Sequence, residues 1–210
     1  MRPSSILAGG AVLVAAWLSL ATVSGSWGFV GHMGVHMALV AVAAPLLALG
    51  CAGSRFDPTR HAPALFAPMF ATLLEFVVVW GWHAPALHFA ARTSSQVLIV
   101  EQLSFLAAGL LVWLAAVGSN RSPERSGAGV LALFLTSMHM TLLGALLALS
   151  PRPLFDATIC GTSSLRPLED QHLGGVLMLL VGGASYLAGA LVLTARLLNG
   201  SGVKLRERSG

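Results

Sequence analysis

Apolar runs about as long as a membrane is thick recur along this chain and limit it more than any other feature. Six segments carry them, near residues 6–23, 30–49, 65–82, 97–117, 130–149 and 173–198. Each is too long for a barrel strand and lacks the alternating polar face of one, so each reads as a helix. With only 10% of residues charged, the chain cannot cover a water-facing surface. It reads as an all-α, polytopic membrane helical bundle of about six transmembrane helices. The whole of 1–210 forms a single integral-membrane domain with the lipid bilayer as its first partner.

The basic residues set the expected orientation. With the N-terminus inside, nine of them fall inside: Arg2, Arg55, Arg60, Arg121, Arg125, Arg196, Lys204, Arg206 and Arg208. Arg92, Arg152 and Arg166 fall outside. The expected topology has both termini cytoplasmic. A pI near 10 then reflects loop charges rather than a nucleic-acid partner. Cys51 and Cys160 fall on opposite sides and are not expected to pair. The first segment also reads as a signal peptide, with Arg2, an apolar core and small residues near Ser24. Either reading leaves His32 on the outer side.

On this topology the histidines gather. His32 and His36 open the second span at its outer end, His83 and His88 follow the third, and His172 opens the sixth. His139 lies within the fifth span, about 15 Å below Leu149 at helical rise. Glu101 occupies the first turns of the fourth, Glu75 the outer half of the third, and Asp170 the approach to the sixth. An ionisable group inside a membrane costs roughly 2.5 kcal/mol or more, so it faces a cavity or a partner. Five helices contributing such groups to one leaflet imply an outer-leaflet polar site with shallow and deeper ligands.

The residue types suit copper. Imidazole and thioether are its ligands, and thioether favours Cu(I). His32-Met33-Gly34-Val35-His36-Met37 carries both kinds, with the two histidines on one helical face and the two methionines about 100° round. Met138-His139-Met140 carries both again; Met138 and Met140 lie about 200° apart, so at most one accompanies His139. Zinc draws more on cysteine, which is not within reach, and calcium or magnesium on more oxygens. Haem b remains open, since His36 and His139 on separate helices could ligate it. Plainer readings compete. Lone methionines such as Met69 and Met178 pack, and His139 alone reads equally as a helix-to-helix hydrogen bond. His88, close to Trp80 and Trp82, reads as an aromatic-belt residue. Asp170 reads as a cap on the last helix.

Four stretches together resemble the membrane-embedded CtaG family of cytochrome c oxidase assembly factors. They are His32-Met33-Gly34-Val35-His36-Met37 running on to Ala44-Pro45-Leu46-Leu47, Trp82-His83-Ala84-Pro85-Ala86-Leu87, Met138-His139-Met140-Thr141-Leu142-Leu143-Gly144-Ala145, and Pro167-Leu168-Glu169-Asp170-Gln171-His172-Leu173-Gly174-Gly175. Glu101-Gln102 departs from a common Glu-His, His172 stands where Gln is common, and many members have a seventh span. The resemblance implies a non-enzymatic assembly factor of the bacterial cytoplasmic (inner) membrane. Such a factor takes copper, as Cu(I), from a periplasmic copper donor and delivers it to a haem-copper oxidase subunit. The expected ligands are His32, Met33, His36, Met37, His83, Glu101, His139, Met140, Asp170 and His172. The rival expectations are a transmembrane copper carrier, a haem-b electron-transfer protein and a metal-free assembly scaffold.

Overall fold

The computed structural model describes residues 2–23, 28–118, 122–155 and 165–208, and all regular structure among them is helical. Ser24, Arg121 and Cys160 of the sequence reading lie outside the described residues. The helices are α1 (Pro3–Val23), α2 (Gly28–Met37), α3 (Ala44–Cys51), α4 (Pro68–Trp82), α5 (Pro85–Thr93), α6 (Ser95–Val117), α7 (Pro123–Ala148), α8 (Pro167–Leu177) and α9 (Gly183–Arg208). A π-helical turn, Ala38–Ala43, joins α2 to α3, and another, Met178–Gly182, joins α8 to α9.

Five of the resulting rods are long and apolar enough to cross a membrane: α1, α2–α3, α6, α7 and α8–α9. The third expected span differs. α4 has 15 residues, about 22 Å of helix, which is short for a bilayer core of about 30 Å. It turns by 71° into α5, and only the bent pair passes as a sixth span. Pro85 sits in the first turn of α5, where its missing N–H is not needed, and Ala84 before it is extended, as a residue preceding proline prefers. Arg92, expected outside the spans, therefore lies on a helix.

Successive rods run in opposite directions, so the starts of α2, α6 and α8 share one end with α5; this is the histidine end. The other is the basic end. There the Arg125 guanidinium donates to the carbonyls of Pro63 (2.9 Å) and Phe66 (2.6 Å), tying α7 to the segment before α4. α1 packs along α3 and the first π-turn, and the Arg2 N–H donates to the Gly50 carbonyl at 3.3 Å.

The first π-turn has a local cause. Pro45 has no N–H to give to the Ala41 carbonyl, and its ring crowds that carbonyl, so the turn before it widens. The carbonyls thus released are taken by side chains. Ser185 Oγ donates to Ala41 at 2.7 Å and Trp113 Nε1 to Val40 at 3.1 Å. On the last rod, Gly175 and Gly144 let α8 and α7 meet backbone to backbone, where added Cβ atoms would collide with main-chain atoms. These close fits hold α7 and the last rod in a fixed register beneath the histidine end.

Candidate metal centre

The bundle buries five imidazole or carboxylate side chains in one pocket, His32, His36, His83, His88 and Glu101. At the histidine end, His32 from α2, His88 from α5 and Glu101 from α6 each place one ligand atom within 4.8 Å of the other two. His32 Nε2 stands 3.7 Å from Glu101 Oε1. The other oxygen, Oε2, is held by the Arg92 guanidinium and by Gln102 Nε2 at 3.1 Å. Arg92 is four residues beyond His88, so one turn of α5 presents both to Glu101. Phe29 and Phe155 close the top. Their rings stack at 4.8 Å, and that of Phe155 lies 4.3 Å from His88.

One turn below His32, His36 is completely buried, and neither of its ring nitrogens has a partner in the protein. The His83 ring crosses it edge-on at 5.6 Å, and Phe105 approaches it at 3.8 Å. His83 engages the Val79 carbonyl through Nδ1 at 2.6 Å, which fixes the tautomer and leaves Nε2 unpartnered and turned away from that carbonyl. His32 Nδ1 and Glu101 Oε1 are likewise buried without a hydrogen bond. Unmet polar atoms at such density are rare in a folded interior, where nearly all are satisfied.

A second group lies deeper. Glu75, two turns before His83 on α4, is fully buried. Tyr186 from α9 donates its hydroxyl to Glu75 Oε1 and lies 3.4 Å from the Val40 carbonyl of the first π-turn. His139 Nε2 stands 4.0 Å from Glu75 Oε2. Beside them, Thr72 and Thr136 hydroxyls pair at 2.7 Å.

The expected ligands therefore divide. His32, His36, His83 and Glu101 come together, whereas His139 faces Glu75 instead. Met33 and Met37 are buried on the other face of α2, against Gly174 and Gly182 of the last rod, as their angular offset requires; Met140 also packs at Gly182. Asp170 does not cap its own helix. Its oxygens accept from the Phe29 N–H (2.5 Å) and the Val30 N–H (3.1 Å), capping α2 and holding His32 in place. His172 Nε2 sits 2.9 Å from the Ser150 carbonyl, tying α8 to the end of α7. His88, read from sequence as a belt residue, belongs to the pocket and is 3% exposed. Its signal was the His88–Arg92 spacing after Pro85, which places both on one face of a helix.

Two or three imidazoles with a carboxylate form a ligand set that copper accepts. Ligands on one tetrahedral ion would stand about 3.3 Å apart, so the His32–His88–Glu101 group would close by at most about 1.5 Å around it.

A model of a family described as cytochrome c oxidase caa3 assembly factor matches residues 1–199. No curated protein and no solved structure matches the chain.

Proposed function

Because the chain belongs to the cytochrome c oxidase caa3 assembly factor family, we propose that it handles copper for that oxidase, loading the ion into the buried histidine pocket and releasing it to an oxidase subunit. The observation that carries this reading is the set of unpartnered buried atoms: both nitrogens of His36, His83 Nε2, His32 Nδ1 and Glu101 Oε1. A chain that needed these side chains only for packing would leave several polar groups unsatisfied, each costing about 1–3 kcal/mol. A bound ion offsets that cost.

Copper is cargo here. Imidazole nitrogens of His32 and His88 hold it with Glu101 Oε1, His36 and His83 offer further imidazoles one turn deeper, and the methionines serve the packing of α2 against the last rod. This changes the expected His/Met site into a His/carboxylate one. Handing the ion on is ligand exchange without bond chemistry, so the role is not enzymatic. The pocket lies at the end away from the basic loops, which is the periplasmic side in a bacterial cytoplasmic membrane. A periplasmic donor would reach it past Phe29 and Phe155.

The test is anaerobic Cu(I) titration of the purified protein against His32→Ala/His36→Ala. The wild type should hold an equivalent that the variant loses, with affinity down about 100-fold or more, since even supporting residues of a metal site contribute 10–100-fold. Equal stoichiometry and affinity would overturn the reading.

A further inference from the structure

Glu75 is the deeper of the two carboxylates. It lies eight residues before His83 on α4, about 12 Å further along the helix axis. Nothing in the histidine pocket makes use of it. We propose that Glu75, His139 and Tyr186 form a second cation station in the middle of the bundle, selective for a monovalent soft cation, Cu(I), over a divalent one. The inference rests on the copper reading of the outer pocket and extends it inward.

Three observations carry it. The first is spacing. Glu75 Oε2 and His139 Nε2 face each other at 4.0 Å, and neither has a hydrogen-bond partner. That gap equals two metal–ligand bonds of about 2.0 Å set nearly in line. A d10 ion such as Cu(I) accepts two ligands in that arrangement.

The second is support. Tyr186 donates to Glu75 Oε1, which turns Oε2 toward His139. The Phe76 ring meets the His139 ring edge-on at 5.4 Å with an interplanar angle of 89°, fixing its plane. Metal sites hold their ligands in this way through neighbouring groups.

The third is charge. Among the described residues, no lysine or arginine pairs with Glu75, whereas Glu101 has Arg92. A carboxylate in the middle of a membrane protein calls for one positive charge. A monovalent ion makes the station neutral. A divalent ion leaves one unit of charge in a low-dielectric interior, which is heavily disfavoured. In the outer pocket Arg92 already balances Glu101, so either ion adds surplus charge there, and the partly exposed guanidinium lets water screen that charge.

The experiment uses the full-length protein in detergent under anaerobic conditions, titrated with Cu(I) and separately with Zn(II) against competing chelators. The wild type should bind two equivalents of Cu(I) and one of Zn(II). Glu75→Gln should lose one Cu(I) equivalent and keep the Zn(II) equivalent. His139→Ala should do the same, which decides the matter if Glu75→Gln fails to fold, as judged by helicity and monodispersity. His32→Ala/His88→Ala should lose the Zn(II) equivalent and retain one Cu(I). If Glu75→Gln or His139→Ala, correctly folded, binds as much Cu(I) as the wild type, the station does not exist and Glu75 holds only a proton. A wild type with one Cu(I) equivalent, lost with His32 and His88 but not with Glu75, removes the station and leaves the outer pocket standing. A wild type that binds no Cu(I) removes both.

Discussion

Glu101 and Glu75 are both fully buried in helices of the same bundle, yet their surroundings differ in charge. Glu101 meets the Arg92 guanidinium and the Gln102 amide, and only its second oxygen is left to look at His32. Glu75 meets the Tyr186 phenol and the His139 ring, with no lysine or arginine paired to it among the described residues. The comparison teaches that the carboxylate does not by itself define a site; the balance of charge around it does. A pocket neutralised by its own arginine can take an ion and give it up, because the ion adds surplus charge. A carboxylate left uncompensated holds its cation until another ligand set offers the same neutrality. On our proposals, that gradient places the exchangeable station near the donor and the retaining one inside.

Removing the guanidinium should break this contrast most visibly. Arg92→Met leaves Glu101 buried and unpaired, and losing one partner of a buried ion pair costs about 3–5 kcal/mol. The melting temperature in detergent should fall accordingly, and Cu(I) should restore much of it, since Glu101 would then resemble Glu75. A melting temperature that drops and is not raised by Cu(I) would show that the outer carboxylate does not see the ion. A smaller effect sharpens the comparison from the other side. Asp170→Asn weakens the capping of α2 without removing a ligand of either station. It should cost about 1 kcal/mol, the usual worth of a helix-end cap and its charge. Cu(I) stoichiometry should stay at the wild-type value; loss of an equivalent would show that Asp170 is a ligand after all.

Much of this was legible in the sequence for a simple reason. In a chain this apolar, each ionisable residue inside a span needs a partner, so their convergence on one end followed from helix order and length alone. The angular offset of Met33 and Met37 from His32 and His36 was also legible, and it correctly put the methionines on another face. What lay behind that face was not, because no local pattern tells that Gly174 and Gly182 admit them. Asp170 shows the same limit. Its capping chemistry was readable, but the N–H groups it caps, those of Phe29 and Val30, lie 141 and 140 residues earlier in the chain. His88 was misread because Trp80 and Trp82 suggested a belt, while Pro85 starts a helix that turns His88 and Arg92 inward. The pairing of Glu75 with His139 depends on α4 and α7 lying side by side, a tertiary fact that neither segment carries.

The central claim is that copper is held by imidazole and carboxylate and that the conspicuous methionines are structural. X-ray absorption spectroscopy of the Cu(I)-loaded wild-type protein tests it most directly. The account predicts a first shell of nitrogen and oxygen, with the outer-shell scattering pattern of histidine rings and no sulfur. A sulfur scatterer in the first shell would return Met33, Met37 or Met140 to the site and contradict the account.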